Sequence, residues 1–512
     1  MKHFNILFFL LTVLSLSLDA QKTTINNMQK SALRTSDVIK QGSEVKGYYF
    51  FYVSDKIDRK TNQYTLRIMD NNLNLLKEIT FADSKGVTVL EASFNGTDLL
   101  FLFYNEDERT LEYQMYGPDG KKKPFFYSRS LSKRENIYLE IFYNHFKEEE
   151  NANKGIFPVD EKGFLSNMPS FDDGHYSFQL DYFSSEKKKQ WSFTPFDDVK
   201  RVVADYLGYH NGIVYLSTLK YRTAFSGNPE STIIGLDLET GKMLFEKPTS
   251  AKYRFLPSSI SVLNGQVYFY GEYYNLDDNI LKDHSLGLAI WALDAKGKMV
   301  TEKYNSWASD LSKYLNISAK GKIEDFGYLF LHNMLQASDG NIYAIGEGYK
   351  KVASGLGIAM TMIGGRANLL KFQITDLAVI QFDKDFNLKG VKIYPKDANN
   401  IELPAGYEFN SITLLGKYIK NTVGGFDYRY TQSNKDFSSF SICYSDYERS
   451  SDYKGSTFKS ISFNNGKFTE DRIATQSEAS KSWVLPGKLG QVLLLDYYKK
   501  DKKLDAHFEK LN

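Results

Sequence analysis

Short apolar stretches recur along this chain in a fixed order. Two meet at a small turn, a longer polar stretch follows, and two more meet at a second tight turn. The clearest instance is Leu263-Asn264-Gly265-Gln266-Val267-Tyr268-Phe269-Tyr270, followed by Leu288-Ala289-Ile290-Trp291-Ala292-Leu293-Asp294-Ala295-Lys296-Gly297. Apolar runs of this length between turn residues predict strands. Asn, Asp and Gly fill the turns because tight turns need positive φ or side-chain hydrogen bonds to the backbone. The second turn recurs at 69–73, 116–121, 236–242, 293–298, 382–388 and 463–467. The first recurs at 94–96, 210–212, 263–265, 338–341 and 488–490, and strands are expected after it at 99–104, 213–219, 266–272, 342–347 and 491–498.

Strand, turn, strand, loop, strand, turn, strand is a four-stranded antiparallel meander. Its repetition predicts an all-β chain, a β-propeller of about eight four-stranded blades, with seven blades as the alternative. No run has the periodicity of a long amphipathic helix; 308–315 reads as a short helical turn. The unit at 144–193 is degenerate, and the last unit ends near 504–508 one strand short. The N-terminal segment 31–40 is expected to supply that strand and close the ring, which removes two exposed sheet edges.

In a propeller meander the first and third connections share one face, and the middle connection shares the other with the link to the next blade. Here the middle connections are the long ones, at 56–62, 220–231, 274–285, 349–372 and 424–436. Long loops in compact domains are usually functional, so this face is expected to carry binding. Its candidate residues are Arg222, Asp277, Asp278, His284, Lys351, Met360, Met362, Arg366, Tyr428 and Arg429. The loop at 349–366 is apolar and rich in glycine and methionine, which suits either an adaptable partner contact or a segment tucked against the blades.

Residues 1–20 read as a signal peptide: Lys2 is basic, 6–18 is nearly all apolar, and Asp19-Ala20 precedes Gln21. The apolar run is shorter than a spanning helix needs. Residues 21–512 are then a single exported domain, periplasmic or extracellular, with no transmembrane segment after cleavage. Cys443 is the only cysteine, so no internal disulfide forms and core burial must hold the fold. Lys and Arg number 64 against 62 Asp and Glu, which removes the electrostatic case for nucleic acid as a partner. The 36 tyrosines suit half-buried strand positions.

No catalytic motif is present. The nucleophile elbow, the zinc-binding His-Glu-x-x-His, the P-loop and a complete dinucleotide glycine pattern are all missing. Asp277, Asp278, Asp283 and His284 offer metal donors, but the segment lacks the glycine and glutamate of a calcium loop. Asp383, Asp385 and Asn387 are explained by a hairpin turn. Neither a metal nor a cofactor is expected. His332 sits in a predicted innermost strand, where packing or hydrogen bonding accounts for it.

The unit from Gly212-Ile213-Val214-Tyr215 through Asp237-Leu238-Glu239-Thr240-Gly241-Lys242-Met243-Leu244-Phe245 resembles the repeat of quinoprotein-type propellers. In that repeat a tryptophan docks neighbouring blades; Phe245 holds roughly its place here. As a whole the chain resembles an uncharacterised family of secreted Bacteroidota proteins, which implies an envelope location and brings no activity. Together these features favour a non-enzymatic binding scaffold of the cell envelope, with a protein or glycan at the long-loop face. The competing reading is a carbohydrate-active hydrolase or lyase using carboxylates at the channel mouth, since paired carboxylates need not be neighbours in sequence.

Overall fold

The computed structural model describes residues 22–41, 44–84, 87–117, 121–143, 154–172, 174–186, 189–195, 199–223, 227–354, 370–402, 411–475 and 478–511. Within them the chain folds as successive four-stranded antiparallel meanders, at 30–84, 87–130, 156–193, 201–248, 254–306, 328–394, 428–474 and 481–510. These are units 1 to 8 below. Units 3 and 4 are joined into one sheet by a single parallel bridge, Tyr176 to Arg201. Unit 8 has three strands of its own and takes its fourth from the N-terminus, where Lys22–Ile25 pairs with 504–507. Thr24 seals that pairing with a 2.7 Å hydrogen bond to Asp505.

The strands form where alternation and turn chemistry predict them. Asn211-Gly212, Asn264-Gly265 and Asn465-Gly466 each hold two consecutive positive φ angles, the conformation a two-residue hairpin turn requires. Apolar faces of adjacent units interdigitate. Tyr49, Phe51 and Leu66 of unit 1 pack with Leu99, Phe101 and Phe103 of unit 2. Aromatic rings also lock one unit onto the next turn. The Trp191 ring lies where a side chain on Gly241 would be, and its indole N–H donates to the Leu238 carbonyl at 2.7 Å. Phe245 stands against Gly297 in the same way.

Three expectations need correction. The added strand of unit 8 is Lys22–Ile25, whereas 31–40 lies in Lys30–Gln41, the first strand of unit 1. The unit at 144–193 is not degenerate in its strands, since Ile156–Val159, Gly163–Asp172, His175–Ser184 and Lys189–Phe193 make all four. No loop spans 424–436, because Tyr428–Ser433 is a strand. Among the described residues two short α-helices occupy links between units. Helix α1, Lys133–Phe142, starts at a capping box in which Ser132 and Glu135 satisfy each other's backbone N–H groups. Helix α2, Ile412–Tyr418, is capped by Ser411. Among the described residues no helix is long and apolar enough to cross a membrane.

Helix α2 ties three units together. Ser411 donates to the Ile280 carbonyl, Tyr349 donates to the Ile412 carbonyl, and the Lys417 ammonium sits 2.7 Å from Asp205. Thr413 accepts from Tyr274 and donates to Glu272, which lies in an otherwise apolar strand.

Candidate active site

A cavity of about 1460 Å³ opens among units 1, 2, 3, 7 and 8 and the link at 397–400. Its wall mixes carboxylates, including Asp37, Asp397, Asp427 and Asp446, with cations and with the rings of Trp483 and Tyr447. That composition suits a polar ligand with some apolar surface.

Behind this wall a buried ionisable cluster, of which only Asp427 lines the cavity, is built on three elements. Strand Ile342–Ala353 of unit 6 carries Glu347, which is fully buried. The link after Ile393-Tyr394 brings in Lys396, whose side chain is also fully buried. The approach to strand Tyr428–Ser433 brings in Asp427. The Lys396 ammonium lies 3.1 Å from Glu347 Oε1 and 2.5 Å from Asp427 Oδ2. One ammonium thus serves two carboxyl groups, and both carboxylates cannot be neutralised by it at once.

The rest of the surroundings separates them. Glu347 also receives the backbone N–H groups of Asp427 and Tyr428, and His332 Nε2 lies 3.3 Å away. Burial alone raises a carboxyl, but His332, Lys396 and these N–H groups outweigh it and hold Glu347 below its ordinary range. For Asp427 the balance is reversed: burial dominates and the nearby Glu347 charge adds to it, so the group is raised despite Lys396. Asn399 donates to its other oxygen at 3.0 Å. Two titratable groups pushed apart in this way suit the roles of an acid and a charged partner. Asp427, not Glu347, lines the cavity. Asp397 lines it too, with its backbone N–H fixed by Asp446 at 2.9 Å and its carboxylate partly exposed.

His332 is packed, as its position predicts. Its ring stacks on Tyr428 at 4.8 Å and meets Phe330 and Phe426, and burial pushes its pKa down. Tyr428 is therefore a support for the histidine and does not line the cavity. Arg429 does line it.

The other predicted residues lie elsewhere. Arg222 is exposed just after Ile213–Tyr221. Lys351 is half-buried on the unit 6 strand. Met360, Met362 and Arg366 fall outside the described residues. Asp277, Asp278 and His284 belong to a braced turn of unit 5. The Asp278 carboxylate accepts from the Asn275 N–H, and Arg254 donates to the Asp278 carbonyl at 2.6 Å. His284 stacks on Tyr328, and burial lowers its pKa. Among the described residues no group of three potential ligands is placed to hold a metal ion. Glu347, Lys396 and Asp427 were not predicted, although a glutamate at the centre of Ile345-Gly346-Glu347-Gly348 interrupts an apolar run.

Fold and site define an all-β protein of repeated four-stranded meanders, with an ionisable cluster open to a large cavity. The chain belongs to the family of unknown function DUF6770, whose profile matches residues 1–512. No curated protein matches it. Among solved structures it is similar to prolyl oligopeptidase B from Galerina marginata, at 8% identity and a TM-score of 0.40, covering 92% of this chain and 56% of that one. A post-proline cleaving enzyme from Rickettsia typhi gives 10% identity, a TM-score of 0.38, and coverage of 92% and 58%. The β-propeller domain of the Trilobed protease from Pyrococcus furiosus gives 10%, 0.31, and coverage of 76% and 99%. The chain spans a little over half the length of the first two. The expectation of a non-enzymatic scaffold is corrected here: the solved proteins this chain is similar to include peptidases. At such identities and TM-scores no activity passes from them to this chain.

Proposed function

We propose that this protein is a carbohydrate-active hydrolase whose substrate occupies the cavity, with Asp427 as proton donor. The observation that carries the reading is the sharing of Lys396 between Glu347 and Asp427. Glu347 keeps the negative charge opposite the ammonium. Asp427, facing the cavity, then holds a proton for a leaving glycosidic oxygen. Asp397, on the same wall and more exposed, is the carboxylate placed to take a proton from water. Trp483 and Tyr447 offer ring faces to the apolar side of a sugar. Nothing in this scheme calls for a metal or cofactor.

The finer architecture and location belong to the same reading. The eight units form an eight-bladed ring, latched by Lys22–Ile25 on 504–507. Residues 1–20 act as the signal that exports the chain to a compartment where glycans are found.

The test is a reducing-end release screen over oligosaccharides with the wild-type chain and Asp427→Asn. A general acid contributes about 10²- to 10⁴-fold. The variant is expected to lose at least the lower figure in kcat while still binding substrate. Cleavage by the variant at the wild-type rate would remove Asp427 from the chemistry. A saccharide that binds in the cavity and is never cut would remove the hydrolase.

A further inference from the structure

The cavity wall contributed by unit 7 carries positive charge that the protein itself does not neutralise. Strand Tyr428–Ser433 pairs with Ser439–Arg449 so that Tyr428 faces Tyr444 and Tyr430 faces Cys443. Arg429 is therefore an extra residue, expelled from the ladder as a bulge, and bulges re-aim side chains. Here the bulge turns Arg429 to the cavity. Its Nε donates to Ser445 at 2.9 Å, which fixes the guanidinium plane, and its two terminal nitrogens make no hydrogen bond or ion pair among the described residues.

A second device lies at the end of the neighbouring strand, Ser439–Arg449. Arg449 is directly opposite Lys454 in the antiparallel pairing with Lys454–Asn464, and both line the cavity. Like charges directly opposite each other destabilise a sheet. Lys454 has no ion-pair partner among the described residues, and Arg449 reaches only Asp397, at 3.9 Å. Of the other wall carboxylates, Asp446 is held by Lys459 at 2.6 Å, Asp427 by Lys396 and Asp37 by Lys154, while Asp160 on unit 3 makes no ion pair with these cations among the described residues.

We infer that Arg429, Arg449 and Lys454 form an anion subsite, and that the saccharide bound in this cavity is acidic, bearing a carboxylate or a sulfate. An arginine fixed through Nε presents its remaining N–H groups to such a planar or tetrahedral anion. The inference rests on the reading that a saccharide occupies the cavity. It adds the substituent that this wall selects.

Binding by the full chain is measured by titration calorimetry, with Asp427→Asn used to prevent turnover. The probes are a galacturonate tetrasaccharide, a chondroitin sulfate tetrasaccharide and maltotetraose. At least one acidic probe is expected to bind ten or more times tighter than maltotetraose and to weaken as salt is raised. Arg429→Gln and Lys454→Gln, both on exposed side chains, are each expected to remove most of that preference with urea midpoints unchanged. Binding of the galacturonate probe shows that a carboxylate suffices, whereas binding of the chondroitin sulfate probe alone, which carries uronate carboxylates as well as sulfate, points to the sulfate. Equal binding of acidic and neutral probes, undiminished binding by both variants, or no binding by any probe would overturn the subsite. Acidic binding that depends on Arg429, in a wild-type chain that never cleaves the probe, would leave the subsite standing and overturn the hydrolase. Cleavage of maltotetraose with no acidic preference would do the reverse.

Discussion

Glu272 offers a sharp test of the energetics. It lies in the second strand of unit 5, fully desolvated, with hydroxyl groups and no cation as partners. Burial outweighs the hydrogen bonds from Ser285 and Thr413 and pushes its pKa up to about 7 from an ordinary 4.5. A carboxyl raised in the folded state keeps its proton where the unfolded chain has lost it. The resulting stability is fully present below the unfolded value and disappears as the pH rises through about 7. At 1.36 kcal/mol per pH unit, the interval corresponds to about 3 kcal/mol, most of it lost between pH 5 and 8. Glu272→Gln cannot ionise and still offers an oxygen to Thr413. Urea unfolding followed by tryptophan fluorescence at pH 5 and 8 is the assay. The variant is expected to match wild type at pH 5 and to exceed it at pH 8 by about 2 to 3 kcal/mol. A variant with the wild-type pH slope, or one less stable than wild type at pH 8, would refute the assignment of a neutral buried acid.

Glu91 carries the same raised pKa of about 7, caused by burial, but accepts the N–H groups of Gly155 and Ile156 on its two oxygens. An amide has only one acceptor oxygen, so Glu91→Gln should lose about 1 to 3 kcal/mol in urea melts at pH 5, where Glu272→Gln loses nothing, and the loss should be offset by pH 8, where the wild-type carboxyl must ionise. Lys396→Met leaves Glu347 and Asp427 buried without their cation. Its loss should reach about 3 to 5 kcal/mol at pH 8 and shrink at pH 5 as the carboxyls protonate. Gly297→Ala places a methyl 2.6 Å from the Phe245 ring at a φ of 76°, whereas Gly265→Ala has the same φ and open space. Both should pay about 1 to 2 kcal/mol of backbone strain, and only Gly297→Ala should pay about 1 to 3 kcal/mol more for overpacking, read as the difference between the two urea midpoints.

The sequence carried the strands far better than the site, and the reason is physical. A hairpin is a local object: Asn264-Gly265 between two apolar runs specifies a turn whatever the rest of the chain does. Strands after such turns, at 213–219 or 491–498, therefore lie within strands of the structure, Ile213–Tyr221 and Gln491–Tyr498. Helix α2 had no such signature. Ile412-Thr413-Leu414-Leu415 is apolar on every side because the helix is wedged against units 5 and 6, so no amphipathic period exists to be read. Helix α1 was legible in principle, since Ser132 and Glu135 spell a capping box. The latch was sought in the right part of the chain but assigned to 31–40, because Lys22–Ile25 is only four residues long and polar in three of them.

The ionisable cluster could not be assembled from sequence for a different reason. Glu347, Lys396 and Asp427 lie 49 and 31 residues apart, on a strand, a link and a strand entry, and only the packing of unit 6 against unit 7 brings them together. The readable signal was negative: a glutamate flanked by glycines inside an apolar strand has no solvent to face, so it must have a buried partner. The same signal sits at Gly271-Glu272 in unit 5, at the equivalent strand position, but there the partner is a threonine hydroxyl and not a lysine. Two repeats of one fold thus place a glutamate at the same point and shift its pKa in opposite directions. Burial pushes Glu272, which anchors helix α2, up to about 7, whereas His332 and Lys396 pull Glu347 down. The repeat supplies the position and the link that follows it supplies the partner, so in this chain chemistry is to be sought in the links between units, where the repeat pattern is silent.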